Sequence, residues 1–260
     1  MHDNLKVALI QSDLVWEDPA KNRDNFSKKI QSITEPVDVV VLPEMFTTGF
    51  TMNANKVAES MEGETVAWMK ELASQTNAAI AGSIIILEQG KFYNRFLFVD
   101  PSGKVSAYDK RHTFTLAGEE KTFASGKEKV IVDYKGWKIC PMVCYDLRFP
   151  VWARNVEDYD VLIYVANWPK PRINAWDTLL QARAIENMCY CIGVNRVGID
   201  GINIEYSGHS GAYDVLGNPI AYFKSFEDGI KIAKLEQRHI VAYRNKLKFL
   251  NDRDSFKITR

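Results

Sequence analysis

The chain carries no surplus of either charge: 33 lysines and arginines stand against 33 aspartates and glutamates in 260 residues. Without a basic field or a long run of one sign, nothing in it recruits nucleic acid or an anionic membrane. That leaves a small molecule or another protein subunit as the partner class. Also missing is any uninterrupted apolar stretch of the roughly 18 residues that a membrane span needs. The opening "MHDNLKVALIQ" has neither the basic nor the apolar region of a secretory leader, so a cytoplasmic protein is expected. Neither GxGxxG nor GxxxxGK[ST] occurs, which removes the usual phosphate cradles. Histidine is scarce, and His2, His112, His209 and His239 are scattered without ligand spacing. Chemistry without a metal, nucleotide or organic cofactor is the expectation.

What is present is an ordinary globular composition, 46% hydrophobic and 25% charged, with no repeat, low-complexity tract or linker. One α/β domain over residues 1–260 is expected. Strand-like runs recur: "LKVALIQ", "VDVVVLP", "AAIAGSIII", "FYNRFLFVD", "KVIVDY", "WKICPMVCY", "DVLIYVANW", "MCYCIGVNR", "SGAYDV" and "IKIAKL". Most are β-branched and bounded by Gly, Pro, Asp or Asn. Helical spacing is clearest over residues 19–33, 64–75 and 175–188. So many strands exceed one small open sheet, and two sheets packed face to face with helices outside is the economical arrangement.

Of the four cysteines, Cys140 and Cys144 lie four positions apart on one predicted strand. At ~3.3 Å per residue their Cα atoms stand about 13 Å apart, beyond the roughly 7 Å limit for bridging. A zinc site wants pairs on tight turns, whereas both cysteine pairs fall inside apolar strands. Core filling therefore suits Cys140, Cys189 and Cys191. Cys144 stands elsewhere: "PMVC" ends a strand and "YDLRFP" begins a polar turn, and strand ends are where layered α/β folds present reactive groups. A nucleophilic thiol needs a base, a positive charge and an orienting group. Neither His112 nor His209 sits in a recognisable Cys-His-Asn or Cys-His-Asp context, so a carboxylate and a lysine are the alternative pair.

Two stretches supply that pair, "VDVVVLPEMFTTGF" ending a strand at Glu44 and "AYDKRHTF" ending another at Lys110. Together with "VCYDLRFP" they resemble the nitrilase superfamily of carbon–nitrogen hydrolases over nearly the whole chain. The resemblance implies a four-layer α-β-β-α sandwich, a catalytic triad of Glu44, Lys110 and Cys144, and a homodimer. It also puts Glu119 of "LAGEEKTF" where the family has a second, substrate-positioning glutamate, with Glu120 one residue away. Within the superfamily, "YDKRHTF", "NWPKPR" and "WDTLLQARAIENMCYCIGVNRVGIDG" look most like the omega-amidase branch, which hydrolyses the terminal amide of 2-oxo acids such as 2-oxoglutaramate and 2-oxosuccinamate. Thr113 departs from the leucine that relatives often carry there.

On this reading Lys110 eases thiolate formation, so that the thiol should alkylate readily at neutral pH. Glu44 is the general base and then the acid for the leaving ammonia. The family's pattern implies that Lys110 and the Tyr145 backbone N–H receive the oxyanion, and a thioester is the intermediate. Arg172 is the expected partner of a substrate carboxylate. Arg148 is a second candidate for that carboxylate, a bridge to Asp146 or another nearby acid that stiffens the turn being the expected role. Phe50 and Trp168, with Phe46 and Trp176, are aromatic candidates for the pocket wall, core packing being the other role open to each. The competing readings are another amide, an N-carbamoyl compound or a nitrile as substrate; a catalytically silent binding protein; and a glycosidase pairing Glu44 with Glu119.

Overall fold

The structure is a computed structural model that describes residues 3–259, so His2 lies outside the described residues. In chain order the strands are β1 (Asn4–Gln11), β2 (Val39–Val41), β3 (Ala79–Glu88), β4 (Lys91–Val99), β5 (Val105–Asp109), β6 (Val132–Tyr134) and β7 (Trp137–Val143). They continue with β8 (Val161–Ala166), β9 (Tyr190–Asn195), β10 (Val197–Ile199), β11 (Glu205–Ser207), β12 (Gly211–Tyr213), β13 (Pro219–Tyr222) and β14 (Gly229–Glu236). The helices are α1 (Pro19–Gln31), α2 (Ala54–Val57), α3 (Glu64–Thr76), α4 (Pro150–Ala153), α5 (Ile173–Asn187) and α6 (Gln237–Leu247).

Two six-stranded sheets form, ordered β14-β1-β2-β3-β4-β5 and β13-β12-β9-β8-β7-β6, with β10-β11 as a separate ribbon. In β1 the run "VALI" is apolar on both faces because both are covered. Val7 and Leu9 join the core that both sheets share, while Ala8 and Ile10 join Phe26 and Ile30 of α1 and Met69 and Leu72 of α3. On the far side α5 lies against β9, where Gly193 leaves room for Trp176 and Leu180; a Cβ there would come within 2.4 Å of Leu180. The layers are thus helix, sheet, sheet, helix, the sandwich of the nitrilase superfamily.

The inner strands set the polarity. β1, β2 and β3 run parallel, as do β7, β8 and β9. β5 returns through two antiparallel pairings to the direction of β3. The chain therefore leaves β2, β5, β7 and β8 at carboxyl ends, where such folds concentrate function. Pro141 sits inside β7 but past the end of the short β6, so the N–H it lacks has no partner to lose there.

Candidate active site

Glu44 follows β2 by three residues, Lys110 follows β5 directly, Cys144 follows β7 directly and Asn167 follows β8 directly. Face-to-face packing brings these ends together. The Lys110 ammonium lies 2.9 Å from Glu44 Oε1 and donates to both oxygens of Glu119, at 3.0 and 2.9 Å. Glu44 and Glu119 are wholly buried and Lys110 nearly so. Glu120, the neighbour that one residue of slippage would have chosen, is exposed. The Phe114 N–H donates to Glu119 Oε2 at 2.5 Å, fastening the "FTLAGEE" loop over the lysine.

The second sheet contributes the thiol and the clamp. Asn167 donates its backbone N–H to Glu44 Oε2 at 2.8 Å and its side-chain amide to the Glu44 carbonyl at 2.7 Å, which bonds one sheet to the other. Cys144 opens a 3₁₀ turn over Cys144–Arg148 with φ of 45°, a left-handed conformation uncommon outside glycine and a mark of a strained, functional bend. Asp146 holds that bend. It accepts from Tyr108 Oη at 2.8 Å, the His112 N–H at 3.0 Å and the Val143 N–H at 3.1 Å, and lies 2.7 Å from His112 Nδ1. The cysteine turn is thereby tied to the loop that carries Lys110. Tyr145 is the second residue of the turn, where opening amides have no intrahelical partner.

Electrostatics set the protonation states. Burial disfavours the Lys110 ammonium, but Glu119 and Glu44 outweigh it and hold the group above its ordinary range. Burial raises Glu119, with Lys110 pulling the other way and Glu44 adding to the rise. Burial, then the Glu44 carboxylate, keep the Cys144 thiol well above its usual value, and Lys110 offsets them only in part. With two carboxylates around one ammonium, a thiolate would add a second uncompensated negative charge. The resting group is therefore a neutral thiol, not the low-pKa thiolate that the lysine alone suggests.

The site opens into a cavity of about 770 Å³ lined by Cys144, Tyr145, Asn167, Phe50, Trp168 and Arg172, among others. Phe50 lies over the Lys110 ammonium, 5.2 Å from ring centroid to Nζ. Phe46 and Trp176, the other two aromatic candidates, are core instead: Phe46 packs edge-on against Phe26, and Trp176 donates to the His209 carbonyl behind Trp168. Arg148 does not bridge to Asp146, whose oxygens are already committed; it stacks over Trp168 at 4.8 Å and faces the same cavity. The acids on the cavity wall are all engaged, Glu17 with Lys56 and Thr51, Asp200 with Tyr206, and Glu205 with Lys170. Arg148 and Arg172 have no carboxylate partner among the described residues. His112 stacks on Phe149 and gives Nδ1 to Asp146, and His209 bonds Asp177, Tyr222 and Ser225. Neither is among the residues that line the cavity with Cys144.

Three residues escape a reading of the sequence. Asn94 donates to Glu44 Oε1 at 2.7 Å and reaches toward Glu119 Oε1 at 3.4 Å. Asn167 is another, and Asp146 is a third in its role alone, since the sequence marks it as a partner for Arg148 and not as the anchor of the cysteine turn. The only signal for Asn94 is a polar residue amid the apolar run "FYNRFLFV".

Comparisons with known proteins point the same way. Residues 6–245 match the family described as carbon-nitrogen hydrolase. The chain is 46% identical to omega-amidase YafV of Escherichia coli (strain K12) over 255 residues, 98% of each chain. It is 31% identical to 2-oxoglutaramate amidase of Bacillus subtilis (strain 168), covering 95% of this chain and 96% of that one. Among solved structures it is similar to XC1258 from Xanthomonas campestris, a CN-hydrolase superfamily protein with an arsenic adduct in its active site, with a TM-score of 0.96, 41% identity and full coverage of both chains.

Proposed function

The chain belongs to the carbon-nitrogen hydrolase family, as an amidase acting on linear amides, and from that premise we propose that one domain spanning it hydrolyses the terminal amide of small 2-oxo acids through a cysteine thioester. 2-Oxoglutaramate and 2-oxosuccinamate are the proposed substrates. The observation that carries this reading is the buried Glu44–Lys110 pair beside the Cys144 thiol, at the floor of a cavity whose wall holds two cations without a carboxylate partner.

In the proposed reaction Cys144 Sγ attacks the amide carbon as its proton passes to Glu44, so that no free thiolate has to accumulate. The carbonyl oxygen becomes an oxyanion that receives hydrogen bonds from Lys110 and the Tyr145 N–H; one such donor is worth ~3 kcal/mol of barrier. Collapse breaks the C–N bond, and the proton on Glu44 goes to the nitrogen, which leaves as ammonia. Glu44, again a carboxylate, deprotonates a water that attacks the thioester. The second tetrahedral intermediate expels the sulfur, the acid departs and the thiol recovers its proton. Glu119 holds Lys110 in place throughout.

At the other end of the substrate, Arg172 binds the carboxylate, and Arg148, stacked on Trp168 in the same cavity lining, shares it. Trp168 and Phe50 supply the apolar walls. Ammonia release from 2-oxoglutaramate, 2-oxosuccinamate, succinamate, an N-carbamoyl amino acid and a simple nitrile tests the assignment. The 2-oxo acid amides should turn over best and Cys144→Ala should release none above background. Turnover of the nitrile alone would sink the substrate class, and an active Cys144→Ala would sink the mechanism.

A further inference from the structure

Glu44 has four lone-pair positions to satisfy in a place without bulk water. Oε1 takes hydrogen bonds from Lys110 at 2.9 Å and Asn94 at 2.7 Å, which fills it. Oε2 takes the Asn167 N–H at 2.8 Å, and the Asn167 side-chain amide only at the limiting distance of 3.5 Å. Oε2 therefore has the one position open to a proton.

Asn94 itself is not explained by the fold. It is 1% exposed in the middle of β4, between the long β3 and β5, where an apolar side chain would pack without polar cost. Its Oδ1 is buried with no hydrogen-bond partner among the described residues, which makes the residue a liability to stability. Its backbone carbonyl accepts from the Lys110 N–H at 2.9 Å, so this one residue meets the base through its side chain and the lysine through its main chain.

We propose that Asn94 is a positioning residue of the hydrolysis: its amide locks Glu44 in the rotation that leaves Oε2 as the only proton acceptor, and keeps Oε1 satisfied when the Lys110 ammonium turns to the oxyanion. The second part follows from the count of donors. Lys110 serves two carboxylates at rest, and any donor it lends to the substrate comes from one of them. Asn94 touches both of those carboxylates and carries no proton to exchange. The groups facing Glu44 are then Lys110, Glu119 and Cys144 as titrating neighbours and Asn94 and Asn167 as fixed ones. This inference rests on the reading of Glu44 as the base.

The test is steady-state hydrolysis of 2-oxoglutaramate by Asn94→Ala and by the isosteric Asn94→Asp, each beside Glu44→Gln, with the folded fraction followed by circular dichroism. A lost hydrogen bond to a charged group predicts a kcat lower by about 10- to 100-fold for the alanine variant, with KM within about twofold. Donors favour the charged form of a carboxylate, so the acid limb of kcat/KM should move to higher pH. Asn94→Asp, which sets a third carboxyl group against Oε1, should lose more, and it keeps the test open should the alanine variant fold poorly. Folded variants with the parent kcat and an unmoved acid limb would overturn the inference. So would a loss of activity that only tracks the unfolded fraction. Full turnover by Glu44→Gln would instead remove the reading of Glu44 as base, whereas an inactive Glu44→Gln beside a parent-like Asn94→Ala removes the role of Asn94 alone.

Discussion

At the residue scale, the cysteine is the clearest case of a side chain whose company decides its state. Burial and Glu44 push the Cys144 thiol up, so the protonated form persists past the ordinary value near 8.5. The wild-type minus Cys144→Ala difference spectrum should show no thiolate absorbance near 240 nm at pH 7, with the band growing only above the ordinary cysteine range. A band already present at neutral pH would contradict the charge count. Lys110→Met should be inactive and also less stable by about 3–5 kcal/mol in urea unfolding, since it leaves two buried carboxylates without their cation. Cys144 stood out by its place at a strand end, whereas Glu44, Lys110 and Glu119 were singled out through the resemblance of their stretches to the family. Asn94 and Asn167 were not: a lone amide is chemically bland, and their meaning lies in contacts with Glu44 across 50 and 123 positions of chain. The preference for an Arg148–Asp146 bridge over a pocket role fails because neighbouring opposite charges invite pairing, whereas Asp146 spends its oxygens on Tyr108, His112 and Val143.

Elements came through unevenly for physical reasons. Long apolar strands and the helices α1, α3 and α5 announce themselves by period. The helix α6 was passed over: "QRHIVAYRNKL" buries only Ile240 fully, so its apolar stripe is thin. The short strands β10, β11 and β13 are three or four residues long and exist through their partners. One connecting strap has a consequence for the site. Residues 123–126 run along the ends of β4 and β5: Ala124 N–H donates to the Phe92 carbonyl at 2.8 Å and Gly126 N–H to the Lys110 carbonyl at 2.9 Å. A Cβ on Gly126 would meet the Asp109 carbonyl oxygen at 2.0 Å, and backbone cannot swing aside as a side chain can. Gly126→Ala should therefore shift the strap and Lys110 with it, cutting kcat at least tenfold and costing about 1–3 kcal/mol of stability. Unchanged kinetics in that variant would mean that the strap does not register the lysine.

On the scale of the whole molecule, Glu44 and Lys110 come from one sheet and Cys144 from the other. The centre exists only while the sheets are docked. Activity should thus vanish in the same urea transition as near-ultraviolet circular dichroism, not after it, and residual turnover beyond that transition would show that the halves need not be apposed. The proposed homodimer has a surface to use: Ile185, Leu216, Ile220 and Tyr222, on α5 and the β12–β13 hairpin, are all more than a third exposed. Light scattering should give twice the 29.6 kDa chain mass, and Ile220→Lys should lower it to that of one chain. The sandwich itself was legible from strand count; which surfaces remain bare was not, because exposure depends on where the sheets end.

In the proposed reaction the imbalance of two carboxylates to one ammonium also bears on product release. An amide is neutral when it reaches the sulfur, whereas the acid that replaces it bears a negative end against Glu44 and Glu119. Repulsion hastens the departure of the acid and keeps it from lodging in the cleft as an inhibitor, while the balance between amide and acid stays that of free solution, which no catalyst moves.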